Sequence, residues 1–235
     1  MSKVIALIPA RGGSKGIPMK NIQDFGGVSL LAHKINQARQ AGADEIWVST
    51  DNNQIKNIAK SCNANVIDRP EAFAQDTSST DDVLNHALEV LSPNSGDLIL
   101  LLQITSPLIS VDSISTCINE LRLNPSLNCV ISVHEAHPFL WTRDETDIKV
   151  WEPKNHSREY RPRRQDLQVE GWETGGCYVI RVSALLSQGN RYPHPTGAVN
   201  VGFLESIDID TFLDLENARM IHRALDSKLD EDEIA

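Results

Sequence analysis

Short apolar runs alternate along most of the chain with longer segments in which apolar residues recur every three or four positions. The short runs are typical of buried strands, and the periodic segments are typical of amphipathic helices. The pattern predicts strands at 4–8, 46–49, 66–67, 98–102, 129–133, 177–182 and 199–205, and helices at 29–41, 53–62, 79–91, 111–122 and 212–224. This alternation predicts an α/β fold with a Rossmann-like, mostly parallel sheet and helices on both faces.

The pattern breaks between residues 134 and 173. Trp141, Trp151 and Trp172 fall in this region, together with frequent Pro, Arg and His residues. Because aromatic side chains are enriched at protein interfaces, we interpret 134–173 as an inserted dimerisation segment and not as a disordered linker. Residues 1–133 and 174–225 then form the α/β domain. The acidic end, 226–235, is expected to be a frayed and solvated tail.

Composition narrows the classes of partner. The formal charge is 22 − 32 = −10, which argues against a nucleic-acid-binding surface but allows a local basic site. No apolar run approaches the roughly 20 residues that a membrane-spanning helix needs, and the first apolar run is too short for a signal peptide. We therefore expect a cytoplasmic protein. The four cysteines show no CxxC spacing and are expected to be buried free thiols.

A loop rich in cations and glycines follows the first predicted strand. Arg11, Lys15 and Lys20 are interspersed with Gly12, Gly13 and Gly16. Glycines let backbone N–H groups approach an anion, and the cations neutralise it. The spacing matches neither GxxxxGK[ST] nor GxGxxG. Because ligands bind at the carboxyl ends of strands in open α/β sheets, we predict a polyphosphate cradle in place of the alternative, a flexible surface turn.

Two carboxylates lie two positions apart near the end of the predicted sheet. If Ile207–Asp210 is a strand, Asp208 and Asp210 share one face while the isoleucines pack on the other. Paired carboxylates can hold Mg²⁺ or Mn²⁺ with phosphate oxygens completing the shell. In the alternative interpretation, these aspartates cap the helix that follows Thr211.

The cationic loop, Ala10-Arg11-Gly12-Gly13-Ser14-Lys15-Gly16-Ile17-Pro18-Met19-Lys20-Asn21, resembles the signature loop of the sialic acid-activating cytidylyltransferases (CMP-N-acylneuraminate synthetases). It resembles the loop of the Kdo cytidylyltransferases less. The likeness continues in family order, from residue 3 to about residue 220, at Ser49-Thr50-Asp51, Arg69-Pro70, Leu101-Leu102-Gln103-Ile104-Thr105-Ser106-Pro107-Leu108, Arg161-Pro162-Arg163-Arg164-Gln165-Asp166 and Ser206-Ile207-Asp208-Ile209-Asp210.

The resemblance implies transfer of CMP from CTP to the anomeric hydroxyl of a nonulosonic (sialic-type) acid by a Mg²⁺-dependent homodimer, with release of pyrophosphate. It implies catalytic roles for Arg11, Lys15, Lys20 and Asp210. It assigns nucleotide binding to Leu7, Ala10, Arg11, Gly12, Asn21, Arg69 and Thr80. It assigns sugar binding to Gln103, Ser106, Arg163, Arg164, Gln165 and Tyr178, and metal binding to Asp208 and Asp210. Of these residues, Arg164 is expected to bind the carboxylate of the sugar acid.

Two positions depart from the family pattern. Thr174 stands where relatives carry Asn, and Leu140 stands where relatives carry a cation that reaches the partner subunit's substrate. A cation from Arg143, Arg158 or Arg161 could replace the missing one. The departures leave legionaminate, pseudaminate or another 3-deoxy-ulosonic acid open as the substrate. A catalytically inactive nucleotide-binding homologue is the alternative from another functional class.

Overall fold

The computed structural model describes residues 2–232, with side chains to residue 227. Its strands are β1 (Val4–Pro9), β2 (Asp24–Phe25), β3 (Val28–Ser29), β4 (Glu45–Thr50), β5 (Asn65–Asp68), β6 (Leu98–Leu102), β7 (Cys129–Ala136), β8 (Trp141–Arg143), β9 (Trp151–Pro153), β10 (Glu170–Arg181) and β11 (Thr196–Asn200). Its α-helices are α1 (Leu30–Gln40), α2 (Asn53–Ser61), α3 (Thr80–Leu91), α4 (Val111–Leu123), α5 (Val182–Gln188) and α6 (Phe212–Asp232).

Seven strands form one sheet in the order β11-β7-β10-β6-β1-β4-β5. Neighbouring strands are parallel except around β10, which is antiparallel to both β6 and β7. The predicted mostly parallel sheet is therefore confirmed. The strand predicted at 199–205 is wrong in its second half, because the chain turns into a 3₁₀ helix at Leu204–Ser206. The sequence pattern also missed α5, which is only seven residues long.

Helices cover both faces of the sheet, as predicted. Val4, Ala6 and Ile8 of β1 point into one apolar cluster with residues of α1, α2, α4 and α6. Ile5 and Leu7 point into a second cluster with residues of α3 and α5. Full burial of a Leu or Ile side chain contributes roughly 1.5–3 kcal/mol, so this two-sided packing fixes the central strands and the loops at their carboxyl ends.

Helix starts follow their capping residues. Ser29, Asn52, Ser79 and Ser110 each accept a backbone N–H of the first turn of α1, α2, α3 and α4. The acidic end departs from the prediction of a frayed tail, because α6 continues through 226–232 as helix. Residues 233–235 of the predicted tail lie outside the described residues.

Only part of the inserted segment leaves the sheet. Residues 134–136 of β7 pair with 170–172 of β10 beyond the last pairings of β6 and β11. These extensions therefore lack the apolar alternation of the sheet interior, which is why the pattern breaks at 134 and not at 137. Residues 137–169 leave the sheet and include the β8–β9 hairpin, where Trp141 and Trp151 are 48% and 44% exposed.

All four cysteines are free thiols, and Cys117, Cys129 and Cys177 are buried as predicted, while Cys62 is partly exposed. Burial raises the pKa of the Cys129 thiol to about 12. Within the described residues, no helix has both the length and the apolar content to cross a membrane.

Candidate active site

A polar cavity of about 370 Å³ opens beyond the carboxyl end of β1. We call it the nucleotide cavity, in line with the role predicted for its loop. It is lined by the loop after β1, the segment after β5, the first residues of α3, and single residues after β6 and before α6. The lining side chains include Arg11, Lys15, Lys20, Asn21, Arg69, Asp76, Ser78, Ser79, Thr80, Thr105 and Asp210. All three predicted cations therefore meet in one place.

Two of these cations converge on a single carboxylate. Arg11 Nη1 lies 3.0 Å from Asp76 Oδ1, and Lys15 Nζ lies 2.7 Å from Asp76 Oδ2. The hydrogen bond from Lys15, followed by the two positive charges, lowers the pKa of Asp76. Arg11 also donates to the Gln75 carbonyl at 3.0 Å. The loop therefore holds one carboxylate between two cations.

Lys20 and Gly16 tie the same loop to the segment before α6. Lys20 Nζ donates to the Ile209 carbonyl at 2.7 Å and lies 4.0 Å from Asp210 Oδ1. A Cβ placed on Gly16 would lie 2.3 Å from the Asp210 carbonyl oxygen, so only glycine allows this close backbone approach. The loop is anchored at both contacts, in contrast to the flexible turn considered as the alternative.

The remaining predicted nucleotide residues divide into two groups. Arg69 is 7% exposed and donates from Nη2 to the Ser49 carbonyl at 2.6 Å, and burial lowers its pKa to about 10. Asn21 donates to the Arg11 carbonyl at 2.8 Å, and Thr80 opens α3, whose N-terminal dipole favours anions. Leu7, Ala10 and Gly12 form the second group and do not line the cavity. Leu7 and Ala10 are buried, and the backbone N–H of Gly12 donates to Asp51 Oδ1.

The predicted strand at 207–210 is absent, because this segment pairs with no strand and has only isolated hydrogen bonds. Its alternation nevertheless holds: Ile209 is buried, whereas Asp208 and Asp210 are exposed. The capping alternative is wrong, because Thr211 and Asp214 cap α6 themselves. The backbone N–H of Asp214 donates to Thr211 Oγ1, and the backbone N–H of Thr211 donates to Asp214 Oδ2 at 2.7 Å. Both earlier aspartates therefore remain available to a ligand.

A second cavity, of about 540 Å³, lies on the other side of this segment. We call it the acceptor cavity. It is lined by Gln103, Trp172, Glu173, Thr174, Gly175, Tyr178, Arg191, Ser206 and Asp208. Gln103 and Tyr178 were predicted here. Ser106 is fully buried beneath it, with Oγ 3.1 Å from Asp208 Oδ1 and 3.2 Å from the Thr174 carbonyl.

Helix α1 supports the loop that carries Gln103 and Ser106. The fully buried Lys34 donates from Nζ to the Ser106 carbonyl at 2.8 Å, and Gln37 donates to the carbonyls of Pro107 and Ile109 at 3.0 and 2.6 Å. Burial lowers the pKa of Lys34 to about 7. A polar face of one helix therefore holds successive backbone carbonyls below the acceptor cavity.

The structure adds residues that the sequence pattern did not identify. Glu173 accepts hydrogen bonds from the hydroxyls of Tyr178 and Tyr192, the latter at 2.7 and 2.9 Å. Burial, followed by the hydrogen bond to Glu173, raises the pKa of Tyr178. Arg191 lies beside both tyrosine rings. Neither Glu173 nor Arg191 belongs to a spacing motif, so only the fold brings them to the cavity.

Three predicted sugar residues lie elsewhere. Arg163, Arg164 and Gln165 are exposed, at a 3₁₀ helix in the inserted segment, and line neither cavity of their own chain. Arg163 is bound to Asp166 at 2.8 Å. Within a single subunit these three residues therefore lie outside the acceptor cavity.

Similarity to known proteins identifies the family of the chain. The family model described as Cytidylyltransferase matches residues 5–165. The chain belongs to the cytidylyltransferase family. N-acylneuraminate cytidylyltransferase B of Danio rerio is 35% identical over 74% of this chain and 40% of its own length. Pseudaminic acid cytidylyltransferase of Campylobacter jejuni is 29% identical over 94% of this chain and 97% of its own. The chain thus spans about two fifths of the length of the Danio rerio relative.

Solved cytidylyltransferase structures share the fold. A CMP:2-keto-3-deoxy-manno-octonic acid synthetase complexed with CTP matches with a TM-score of 0.67 at 21% identity, over 95% of this chain and 99% of the other. A 4-diphosphocytidyl-2C-methyl-D-erythritol synthase from Anaerococcus prevotii matches with a TM-score of 0.68 at 17% identity, over 94% and 99%. At these identities the likeness establishes the α/β fold alone.

Proposed function

We propose that this protein transfers CMP from CTP to the anomeric hydroxyl of a nonulosonic acid, giving a CMP-sugar and pyrophosphate. One observation carries the proposal: the two cavities meet along two paired segments. Thr105 and Asp210 line the nucleotide cavity, Gln103 and Asp208 line the acceptor cavity, and the Ile209 N–H donates to the Thr105 carbonyl at 2.8 Å. Two substrates bound on either side would therefore meet at this shared wall.

The nucleotide cavity supplies what a triphosphate needs. Arg11 and Lys15 would exchange the Asp76 carboxylate for phosphate oxygens, and Lys20 would face the reacting end from its anchored position beside Asp210. In the reaction, the acceptor hydroxyl gives up its proton to solvent while its oxygen bonds to the α-phosphorus, the bond from the α-phosphorus to the bridging oxygen breaks, and pyrophosphate leaves. Fixed cations stabilise the charge that develops on the transferring and leaving phosphates.

The acceptor cavity supplies orientation. Gln103 can both donate to and accept from sugar hydroxyls. The loop beneath is held by Lys34 and Gln37 of α1, so these groups are placed before the sugar arrives. Positioning of this kind lowers the entropic cost of bringing the hydroxyl into line with phosphorus.

The carboxylate pair fits a divalent cation bound with the nucleotide. The described residues contain no group of three or more His, Cys, Asp or Glu side chains that could hold an ion alone. Mg²⁺ is commonly held by one or two carboxylates and completed by substrate phosphates and water, which matches an exposed Asp208 and Asp210. We infer that Mg²⁺, or Mn²⁺, is held here and offsets phosphate charge when bound.

We also propose a homodimer built on the inserted segment. Trp141 and Trp151 on the β8–β9 hairpin are about half exposed, and Tyr160 is 70% exposed. Exposed aromatic clusters of this kind mark protein interfaces. Arg143 and Arg161 already stack on Trp151 and Phe139.

Arg164 is the arginine of the inserted segment best placed to serve a partner subunit. It is exposed and makes no ion pair or side-chain hydrogen bond within residues 2–232. In contrast, Arg158 is paired with Glu152. We infer that Arg164 reaches the rim of the neighbouring subunit's acceptor cavity.

The names of the relatives indicate two candidate sugar acids as the acceptor. The Danio rerio relative is named for N-acylneuraminate and the Campylobacter jejuni relative for pseudaminic acid. The second candidate is favoured by coverage, because the chain matches that relative over almost its entire length. Retention of Arg11, Lys15, Lys20 and both aspartates argues against an inactive homologue. The reaction needs a compartment that supplies CTP, consistent with the expected cytoplasmic location.

A pyrophosphate-release assay tests the proposed function. The purified protein is supplied with Mg²⁺, each of CTP, UTP, ATP and GTP, and each of N-acetylneuraminate, legionaminate, pseudaminate and Kdo. We expect release with CTP and at least one nine-carbon acid, and little release with Kdo. Absence of release with every pair, from protein that is folded by circular dichroism, would contradict the proposal.

A mixed dimer tests the shared site. One subunit carries Asp210→Ala and the other Arg164→Ala, and each variant is inactive as a homodimer if the site is shared. In the mixed dimer, one of the two sites regains both groups, so activity should return partly. No recovery, or a monomer by light scattering at assay concentration, would exclude the shared site while leaving the reaction itself untouched.

A further inference from the structure

Arg191 is the only cation among the described residues that line the acceptor cavity. It follows α5 in a loop that no sequence motif marked. Its backbone is fixed from two sides: its N–H donates to Asp81 Oδ1 at 3.1 Å, and its carbonyl lies 3.3 Å from the Cys129 thiol sulfur. The guanidinium therefore stands on a braced backbone and not on a free loop.

The guanidinium is stacked but not paired with a carboxylate. Its Cζ lies 5.8 Å from the ring centroid of Tyr178 and 5.1 Å from that of Tyr192, within the range of cation–π contacts. Its Nε is buried and lacks a hydrogen-bond partner within the part of the chain that the structure describes. Buried donors are rarely left without partners, so this one indicates a missing acceptor.

One acidic side chain of the cavity is already engaged. Glu173 accepts hydrogen bonds from the hydroxyls of both Tyr178 and Tyr192 and forms no ion pair with Arg191 among the described side chains. The tyrosines thus hold Glu173 apart from Arg191. An anion that enters the cavity therefore meets a guanidinium that forms no ion pair with a carboxylate among the described side chains.

We propose that Arg191 binds the carboxylate of the acceptor, from the same subunit that supplies Gln103 and Tyr178. This inference rests on the proposed function and names the residue that recognises the acidic class of acceptor. A guanidinium matches a carboxylate through two parallel hydrogen bonds, whereas a neutral sugar offers no such partner. Arg164, which the family resemblance assigned to the carboxylate, lies outside the cavity of its own chain.

The test compares two non-reacting probes that differ only in charge. They are the 2-O-methyl glycoside of N-acetylneuraminic acid and its 1-carboxamide, titrated by calorimetry into protein saturated with CTP and Mg²⁺. The wild-type protein should bind the acid at least 10-fold more tightly than the amide. Arg191→Met should reduce that ratio to near one. Arg191→Lys should restore it in part, because lysine supplies the positive charge but not the two parallel N–H donors of a guanidinium.

Matched variants separate this role from others. Arg122→Met, at an exposed position of α4, is the matched control and should keep the ratio of acid to amide. Arg164→Met tests the rival assignment and should reduce the ratio less than Arg191→Met does. CTP affinity and the unfolding temperature of Arg191→Met should stay close to wild type.

The outcomes are distinguishable from failure of the proposed function. If Arg191→Met keeps the wild-type ratio, or if Arg164→Met loses it instead, the inference is overturned while the reaction stands. Equal weakening of acid and amide would show a structural role only and would also overturn it. If the wild-type protein binds CTP but neither glycoside, the acceptor cavity does not recognise this acid and the inference falls with it.

Discussion

The two cavities are built in different ways. The nucleotide cavity takes three of its four cations and Asn21 from one continuous loop, residues 11–21, and adds Arg69 and a few other neighbours. The acceptor cavity is assembled from separate segments near residues 103, 172–178, 191 and 206–208. A site concentrated in one loop can be recognised in a sequence, whereas a site assembled by sheet topology cannot. The predictions below probe whether the cavities are also distinct in function.

Removing the carboxylate at the shared wall should have the largest effect. Asp210→Ala should abolish Mg²⁺-dependent turnover with folding intact, because Asp210 lines the nucleotide cavity beside Lys20 and has 81% of its side chain exposed to a ligand. Pyrophosphate release and circular dichroism measure both properties. Asp112→Ala, at an exposed position of α4, is the control. Full wild-type activity in excess chelator would exclude the metal.

Removing single cations tests the nucleotide side. Arg11→Ala, Lys15→Ala and Lys20→Ala should each lower turnover by more than about 10-fold, since each removes a charge partner of the transferring phosphates. Lys20 should matter most because it is the least exposed and is held by the Ile209 carbonyl. Lys60→Ala, on the exposed face of α2, is the control. Near-normal kcat/KM for CTP in all three variants would place the cradle elsewhere.

The buried Lys34 tests the rigidity of the acceptor side through pH. Its pKa is about 7 in the folded protein, because of burial, against 10.5 for an exposed lysine. Between these values the unfolded chain binds more protons, so the free energy of unfolding should rise with pH above 7, by up to about 1.4 kcal/mol per pH unit. Lys34→Met should lose this rise, and Lys60→Met should keep it. Urea unfolding between pH 7 and pH 9 measures it, and parallel curves for all three proteins would contradict the assignment.

Asp76 should give the smallest effect. Its two exposed ion pairs, with Arg11 and Lys15, together contribute about 1 kcal/mol, and CTP must replace them. Asp76→Asn should therefore lower the KM for CTP by at most about 5-fold and leave the KM for the acceptor unchanged. Glu71→Gln, an exposed neighbour, is the control. A large loss of activity would instead give Asp76 a direct role in the reaction.

Much of the fold could be predicted because its signals are local. Apolar runs such as Leu98–Leu102 are buried on both faces, and Ser79 begins α3 through a reciprocal capping interaction with Asp82. The prediction failed where packing follows long-range pairing. The extensions of β7 and β10 pair only with each other, so they lack the alternation that marks the rest of the sheet.

The site residues also separate into those with a local sequence signal and those brought together only by the fold. Lys20 and Asn21 could be found from the loop, but the contact of Gly16 with the Asp210 carbonyl depends on residues far apart in the chain. The prediction that Asp208 and Asp210 are both exposed while Ile209 is buried holds although their segment is not a strand, but the two side chains line different cavities. Arg191 had no signal at all, because its surroundings arise only when β10 and the loop after α5 come together.

Crossed kinetics of two variants test most directly whether two cavities serve one reaction. Initial rates of pyrophosphate release are measured with CTP and the acceptor varied independently, for Lys20→Ala and Gln103→Ala. We predict that Lys20→Ala raises the KM for CTP with little change in the KM for the acceptor, and that Gln103→Ala does the reverse. If both variants raise the KM for the same substrate, the division of the site into a nucleotide cavity and an acceptor cavity is wrong.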